Sequence, residues 1–332
     1  VILIDADVLG RARTGDETYV SNLLRELPHV APDLRFAAVT RHPELIPEGV
    51  EAVRLATPLQ EVRMALTLPL LLRRLRPELA HFQHALPLGW HGRSVVTLHD
   101  LSFESEGAAM GRLDRLVFRA VVPRAARRAD HVLVVSERTR RDVEEQYGIA
   151  PEKISVTPNG VDPSFSPGGV GDGYLLFVGA IQRRKDPLVA LEAARVVGLP
   201  LVVAGPQKEP ALAQELRDGG ADLRGYVSKP ELAELYRGAA ALLLPSRFEG
   251  FGLPVLEAMA CGTPVVAAPE PALREVAGDA AVYAVDGDFA AAVKRALADR
   301  ERLSAAGLER ARLFSWEETA RRTAEVYRRV LG

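Results

Sequence analysis

Short runs of Val, Ile and Leu, separated by longer stretches of helical period, constrain this chain more than any other feature. A strand buried on both faces reads as a near-continuous apolar run, and helices between such runs imply a parallel sheet covered on both sides. In the first half the runs fall at residues 1–4, 36–40, 95–98 and 131–135; in the second they fall at 174–178, 201–204, 241–244, 264–267 and 281–285. Between the halves, residues 161–173 hold Pro163, Pro167 and four glycines, which continue neither a helix nor a central strand. The expectation is an α/β protein with Rossmann-like domains at 1–163 and 174–315, joined by a linker at 164–173. A terminal amphipathic helix at 316–332 places Trp316, Ala320, Ala324 and Tyr327 on one side, suited to docking back on the first domain.

A length of 332 residues fits two domains. Forty-two basic against 44 acidic residues give a net charge of -2, so no global field would hold a polyanion and nucleic acid is not an expected partner. The single cysteine, Cys261, excludes a disulfide framework or a multi-cysteine metal site and fits a reducing compartment. The apolar opening is interrupted by Asp5 and Asp7, too soon for a secretory signal, and no run of about 18 apolar residues follows. A cytoplasmic protein that does not span a membrane is expected.

Ligands in open α/β sheets bind beyond the carboxyl ends of the strands, and four unusual clusters fall there. The first contains Gly15, either a turn glycine or one that lets backbone approach a phosphate at a helix N-terminus. The second is His99-Asp100, directly after a strand. The third is Arg183-Arg184-Lys185, followed by Asp186, placed to cap the next helix, and Pro187, suited to its first turn. The fourth runs from Pro245 to Pro264. Pro254 fits a first helical turn, and Gly262 and Pro264 stop the helix after about two turns, so Glu249 lies in the loop and Glu257 inside the helix. Glycines between them free backbone amides to face an anion at the positive helix end. Two carboxylates flanking such a site suit sugar and ribose hydroxyls.

Glu249 and Glu257, with seven residues between, resemble the paired-glutamate motif of the retaining nucleotide-sugar glycosyltransferases of family 4, which have the GT-B fold. The segments 96–103, 135–139, 158–162, 178–185, 204–206 and 314–316 are similar to motifs that recur in that family in the same order. The resemblance implies two Rossmann-like domains facing each other across a deep cleft. It implies that Glu249 contacts donor-sugar hydroxyls and that Glu257 binds the nucleotide ribose, with Gly250, Phe251, Gly252 and Leu253 meeting sugar and diphosphate. Arg184 and Lys185 would neutralise the diphosphate, Gly15 would belong to the donor site, and His99 would touch the sugar from the opposite domain. Relatives commonly carry a second glycine where Asp16 stands, and a proline where Arg274 stands.

The expected substrates are a nucleotide-diphosphate sugar of mannose or glucose type and a glycan, lipid-linked or small-molecule acceptor, with no cofactor and no metal. A silent nucleotide-sugar binding protein and an epimerase of the same fold are the alternatives. A nicotinamide oxidoreductase is disfavoured, because no Gly-x-Gly-x-x-Gly follows the first strand. Asp5-Ala-Asp7 resembles a metal-binding Asp-x-Asp but reads as a loop trim. His81 and His84 have helical spacing without a carboxylate or cysteine partner and read as structural. The segments 63–76 and 112–128 mix apolar and basic positions and read first as buried helices with arginine edges; the other reading puts one of them on the acceptor side, with a loose contact to anionic lipid at the inner face of the membrane.

Overall fold

A computed structural model describes residues 1–11, 14–105, 111–168, 171 and 173–332. It divides into two compact units, one of residues 1–101, 113–160 and 316–332, the other of residues 102–112 and 161–315.

The chain runs β1 (Ile2–Asp5), α1 (Thr14–Val30), β2 (Phe36–Thr40), β3 (Val50–Arg54), α2 (Gln60–Val62), a π-helical stretch Arg63–Thr67, α3 (Leu68–Leu75), β4 (Leu79–Gln83) and β5 (Ser94–Leu98). It continues through α4 (Ser102–Ser105), α5 (Arg112–Arg128), β6 (His131–Val134), α6 (Glu137–Tyr147) and β7 (Ile154–Val156). The seven strands form one parallel sheet in the order β3-β2-β1-β4-β5-β6-β7. The first connections carry the chain from β1 out to β3. The helical stretch 60–75 then returns it to the far side of β1, so the order reverses between β1 and β4. Leu3, Ala37, Val39, Ala80 and Phe82 pack beneath Leu68 and Leu72 on one face.

The second unit contains β8 (Tyr174–Val178), α7 (Pro187–Val197), β9 (Leu201–Ala204), α8 (Pro210–Asp218), β10 (Asp222–Gly225), α9 (Lys229–Gly238) and β11 (Ala239–Leu244). After these come α10 (Leu253–Ala260), β12 (Val265–Ala267), α11 (Pro271–Ala277), β13 (Ala281–Tyr283), α12 (Phe289–Ala298) and α13 (Arg300–Ala311). Its parallel sheet has the order β10-β9-β8-β11-β12-β13, with the reversal between β8 and β11. The last helix, α14 (Trp316–Leu331), packs on α1 in the first unit and buries Trp316, Ala320, Ala324 and Tyr327.

Several elements differ from the sequence reading. Strands β3 and β10 are sheet edges rich in exposed charge, so neither shows an apolar run. Strand β4 is interrupted in sequence by His81, which is fully buried and bonded to Thr97 Oγ1 and Tyr327 OH, each at 2.6 Å. The His81–His84 spacing is therefore not helical. Strand β13 stops at Tyr283 rather than 285, because Val285 opens a turn in which Asp286 is left-handed (φ 60°).

Candidate functional site

In the second unit, the loops after β8 and β11 both lie at the reversal of strand order. Arg183–Lys185 form a single 3₁₀ turn there. Lys185 Nζ donates to Glu249 Oε1 at 2.8 Å, and both side chains are almost fully buried. Arg184 Nη1 donates to the Phe248 carbonyl at 2.6 Å, and the Arg247 amide donates to the Arg184 carbonyl at 3.1 Å. The two loops are thus bonded to each other. Gly179 lies under the lysine stem at φ 150°, and a Cβ there would stand 3.0 Å from Lys185 Cδ, so a side chain would displace the lysine. Arg183 is exposed and pairs with Glu209. The expected capping by Asp186 does not occur. Asp186 is itself left-handed (φ 49°), makes no side-chain cap bond and accepts from Arg247 Nε at 3.1 Å.

Helix α10 starts at Leu253, with Pro254 in its first turn and Gly252 at its N-cap. Gly252 has φ 107°, and a Cβ there would meet Leu273 Cδ2 at 2.7 Å, so both backbone and space demand glycine. Gly250 and Phe251 are buried alongside, the Phe251 ring edge-on to Phe314. The positive end of α10 is therefore presented to the loop that carries Glu249.

The two glutamates differ electrostatically. Burial pushes the Glu249 carboxyl up, but Lys185 and Arg184 outweigh it and hold the group below the usual glutamate value. Glu257 has no such cation bonded to it. Burial drives its carboxyl up to about 7 against the hydroxyl of Tyr236 and the charge of Lys229, with Asp162 adding to the rise. Tyr236 OH donates to Glu257 Oε2 at 2.8 Å, and Lys229 Nζ bonds Asp162 Oδ2 at 2.6 Å. Sequence reasoning missed Tyr236 and Lys229. Lys229 is one of five lysines in an arginine-rich chain, the one sequence signal it carries, and Tyr236 carries none.

In the first unit, His99 follows β5 beside the reversal between β1 and β4. Its Nε2 bonds Gln83 Oε1 at 3.0 Å, and its ring stands edge-on to Tyr19 at 4.8 Å. Burial lowers it to about 4, against the raising charge of Asp16, so the imidazole is neutral at pH 7. His84, in the left-handed region (φ 61°), lies with its Nε2 3.7 Å from Asp16 Oδ2, which corrects the reading of a histidine without a carboxylate neighbour. Asp16, His84 and His99 each place one ligand-type atom within 4.8 Å of the others, a set of two imidazoles and a carboxylate of the kind that holds divalent cations. Gly15, the second residue of α1, is exposed and has open space around it, so nothing in this unit requires a glycine there. Asp5 and Asp7 are more than a loop trim. Fully buried Arg63 grips both Asp5 oxygens, at 2.9 and 2.5 Å, and Asp7 pairs with Arg11 and Arg41.

Two doubly wound parallel sheets, one with cations and a helix N-terminus at its switch point, define the architecture of GT-B glycosyltransferases. Solved structures agree. Sucrose-phosphate synthase (tll1590) of Thermosynechococcus elongatus matches with a TM-score of 0.76 over 99% of this chain and 98% of that one, at 22% identity. Anabaena Alr3699/HepE, solved with UDP and glucose, matches with a TM-score of 0.74 over 98% and 99%, at 15% identity. In sequence, Glycosyltransferase Family 4 matches residues 13–165 and Glycosyl transferases group 1 matches residues 166–312. The D-inositol 3-phosphate glycosyltransferase of Geodermatophilus obscurus is 35% identical over 287 residues, which span 72% of this chain and 63% of that relative. The chain belongs to the family 4, group 1 glycosyltransferases. Among the described residues, no helix is long and apolar enough to cross a membrane.

Proposed function

We propose that the chain is a retaining glycosyltransferase that moves a hexose, of mannose or glucose type, from a nucleotide-diphosphate sugar to a hydroxyl of a glycan, lipid-linked or small-molecule acceptor. The observation that carries this reading is the buried Lys185–Glu249 pair beside the N-terminus of α10. A lone lysine–carboxylate pair would be inert; one set at a switch point, against a helix N-terminus and with Arg184 alongside, offers cations to a diphosphate and a carboxylate to sugar hydroxyls.

The bond from the sugar's anomeric carbon to the diphosphate oxygen breaks, and the acceptor oxygen bonds that carbon on the same face. The acceptor's proton leaves with the diphosphate. Negative charge grows on the diphosphate as its bond breaks, so Lys185, Arg184 and the α10 amides stabilise the transition state more than the ground state. No metal is needed for that role. Glu257 takes the ribose hydroxyls. The family 4 membership supports retention, and the inositol-phosphate relative supports a polyhydroxyl acceptor.

An exposed apolar stripe of Val62, Leu66 and Leu70 runs along the helical stretch 60–75 from Leu59 at its start, and the last turn carries Arg73 and Arg74, with Arg76 just beyond. It supports the further reading of a loose contact with anionic lipid on this face. The test of the main reading is incubation of the protein with uridine and guanosine diphosphate sugars, with and without candidate acceptors. Acceptor-dependent release of nucleoside diphosphate, with the donor's anomeric configuration kept in the product, is expected. Release only to water, epimerised sugar, or binding without turnover would overturn it.

A further inference from the structure

Glu257 points from α10 to a tyrosine that is tied to this helix twice, at Glu257 itself and just past the C-terminal end. Tyr236, in the last turn of α9, has no solvent exposure. Its hydroxyl donates to Glu257 Oε2 at 2.8 Å, and its carbonyl accepts from Thr263 Oγ1, just past the end of α10, at 2.7 Å. Its ring is held edge-on to Phe165, with centroids 5.8 Å apart. A tyrosine held by its ring, its hydroxyl and its backbone carbonyl fixes its partner, so the carboxylate loses the rotation that a lone glutamate on a helix would keep.

We propose that Tyr236 is a positioning residue of the nucleotide site, its hydroxyl holding the Glu257 carboxylate in the one orientation that presents an acceptor edge to a vicinal diol. The inference rests on the reading of Glu257 as the ribose ligand. Two hydroxyls of a cis-diol need a carboxylate set at a definite angle, and a preset acceptor loses no freedom on binding. Burial keeps the phenol protonated, so it is a permanent donor. A donor bonded to a carboxylate favours the charged form, so Tyr236 also keeps Glu257 an acceptor closer to neutral pH than burial alone would allow.

The surroundings leave few other groups to set that charge. From α9 come Tyr236 and Lys229, the latter paired with Asp162, which also faces Glu257. On α10's own C-terminal side, the Cys261 thiol is pushed up to about 12 and stays neutral. On α11 and α13, Arg274 lies over Tyr283, and Arg310 bonds the carbonyls of Glu275 and Val276. All seven histidines belong to the first unit, so none titrates within this one.

The experiment is calorimetric titration of the full chain with UDP-glucose and GDP-mannose, whose diphosphates do not titrate near neutrality, from about pH 5.5 to 8.5. Wild-type affinity should fall as pH drops through about 7, where Glu257 gains its proton, and Glu257→Gln should be weak and flat. Tyr236→Phe should weaken binding roughly tenfold, move the fall to higher pH, and leave turnover at saturating donor within about twofold. Tyr174→Phe, which also deletes a hydroxyl bond, to the Leu235 carbonyl, should leave the profile in place. If Glu257→Gln loses affinity while Tyr236→Phe keeps both affinity and profile, the positioning role is wrong. A flat wild-type profile overturns it without any need for the phenylalanine variant to fold. If Glu257→Gln binds both donors as wild type does, the ribose reading fails and this inference with it.

Discussion

Replacing Lys185 by alanine perturbs two quantities that the structure couples. The ammonium bonds Glu249 at 2.8 Å and faces the diphosphate in the proposed reaction. For catalysis, losing a preorganised cation at the leaving group should slow the chemical step by a hundredfold or more, about 3 kcal/mol. For stability, the variant strands the Glu249 carboxylate, only 7% exposed, without the cation that offsets its burial. Removing one partner of a buried pair costs about 3 kcal/mol at the low end of the usual range, softened here by Arg184 and by proton uptake. Glu249 lies below its ordinary value when folded, so its pair stabilises the fold fully above that ordinary value and is lost as pH falls through the folded one. In Lys185→Ala the carboxyl should rise, and destabilisation should be greatest at neutral pH and shrink on mild acidification.

The two effects separate in a double variant. Lys185→Ala/Glu249→Gln removes the stranded charge and should recover much of the stability while being at least as slow as the single lysine variant. Lys185→Arg should recover only part of the rate, since a planar fork does not replace a compact ammonium. Urea unfolding gives the stability and rapid-quench single turnover at saturating donor gives the rate. A wild-type single-turnover rate for Lys185→Ala would refute the leaving-group role and leave the lysine a binding group only. Equal stability of the single and double variants would refute the account of Glu249.

Glu257→Gln should weaken binding of the nucleoside diphosphate, whereas Glu249→Gln should leave it nearly intact and impair transfer; equal losses by calorimetry would contradict the division. Arg63→Met should cost roughly 3 kcal/mol in urea unfolding, since it leaves the buried Asp5 carboxylate without the guanidinium that grips both its oxygens. Leu66→Ser with Leu70→Ser should abolish flotation with anionic liposomes and leave melting near wild type; salt-insensitive flotation, or none in the wild type, would remove the lipid contact.

How much of this was legible in the sequence depends on what made each element visible. Central strands such as 174–178 and 241–244 are buried on both faces, and burial on both faces is what writes an uninterrupted apolar run. Edge strands β3 and β10 obey no such demand, and β4 hides because its interior carries a histidine whose two nitrogens are satisfied by Thr97 and Tyr327, residues 16 and 246 positions away. The site follows the same logic. Glu249 and Glu257 were readable because glycine, proline and helix-stop signals placed them around one helix start. Tyr236 was not, because nothing local marks a buried phenol as a donor to a carboxylate 21 residues on. The capping assignment of Asp186 failed for a related reason. A left-handed backbone at that residue, forced by the turn that aims Arg184 and Lys185 at the Glu249 loop, leaves its side chain facing Arg247 rather than the helix amides. What the sequence could not show is therefore the second layer of the site, the groups that act only through a partner brought close by the fold.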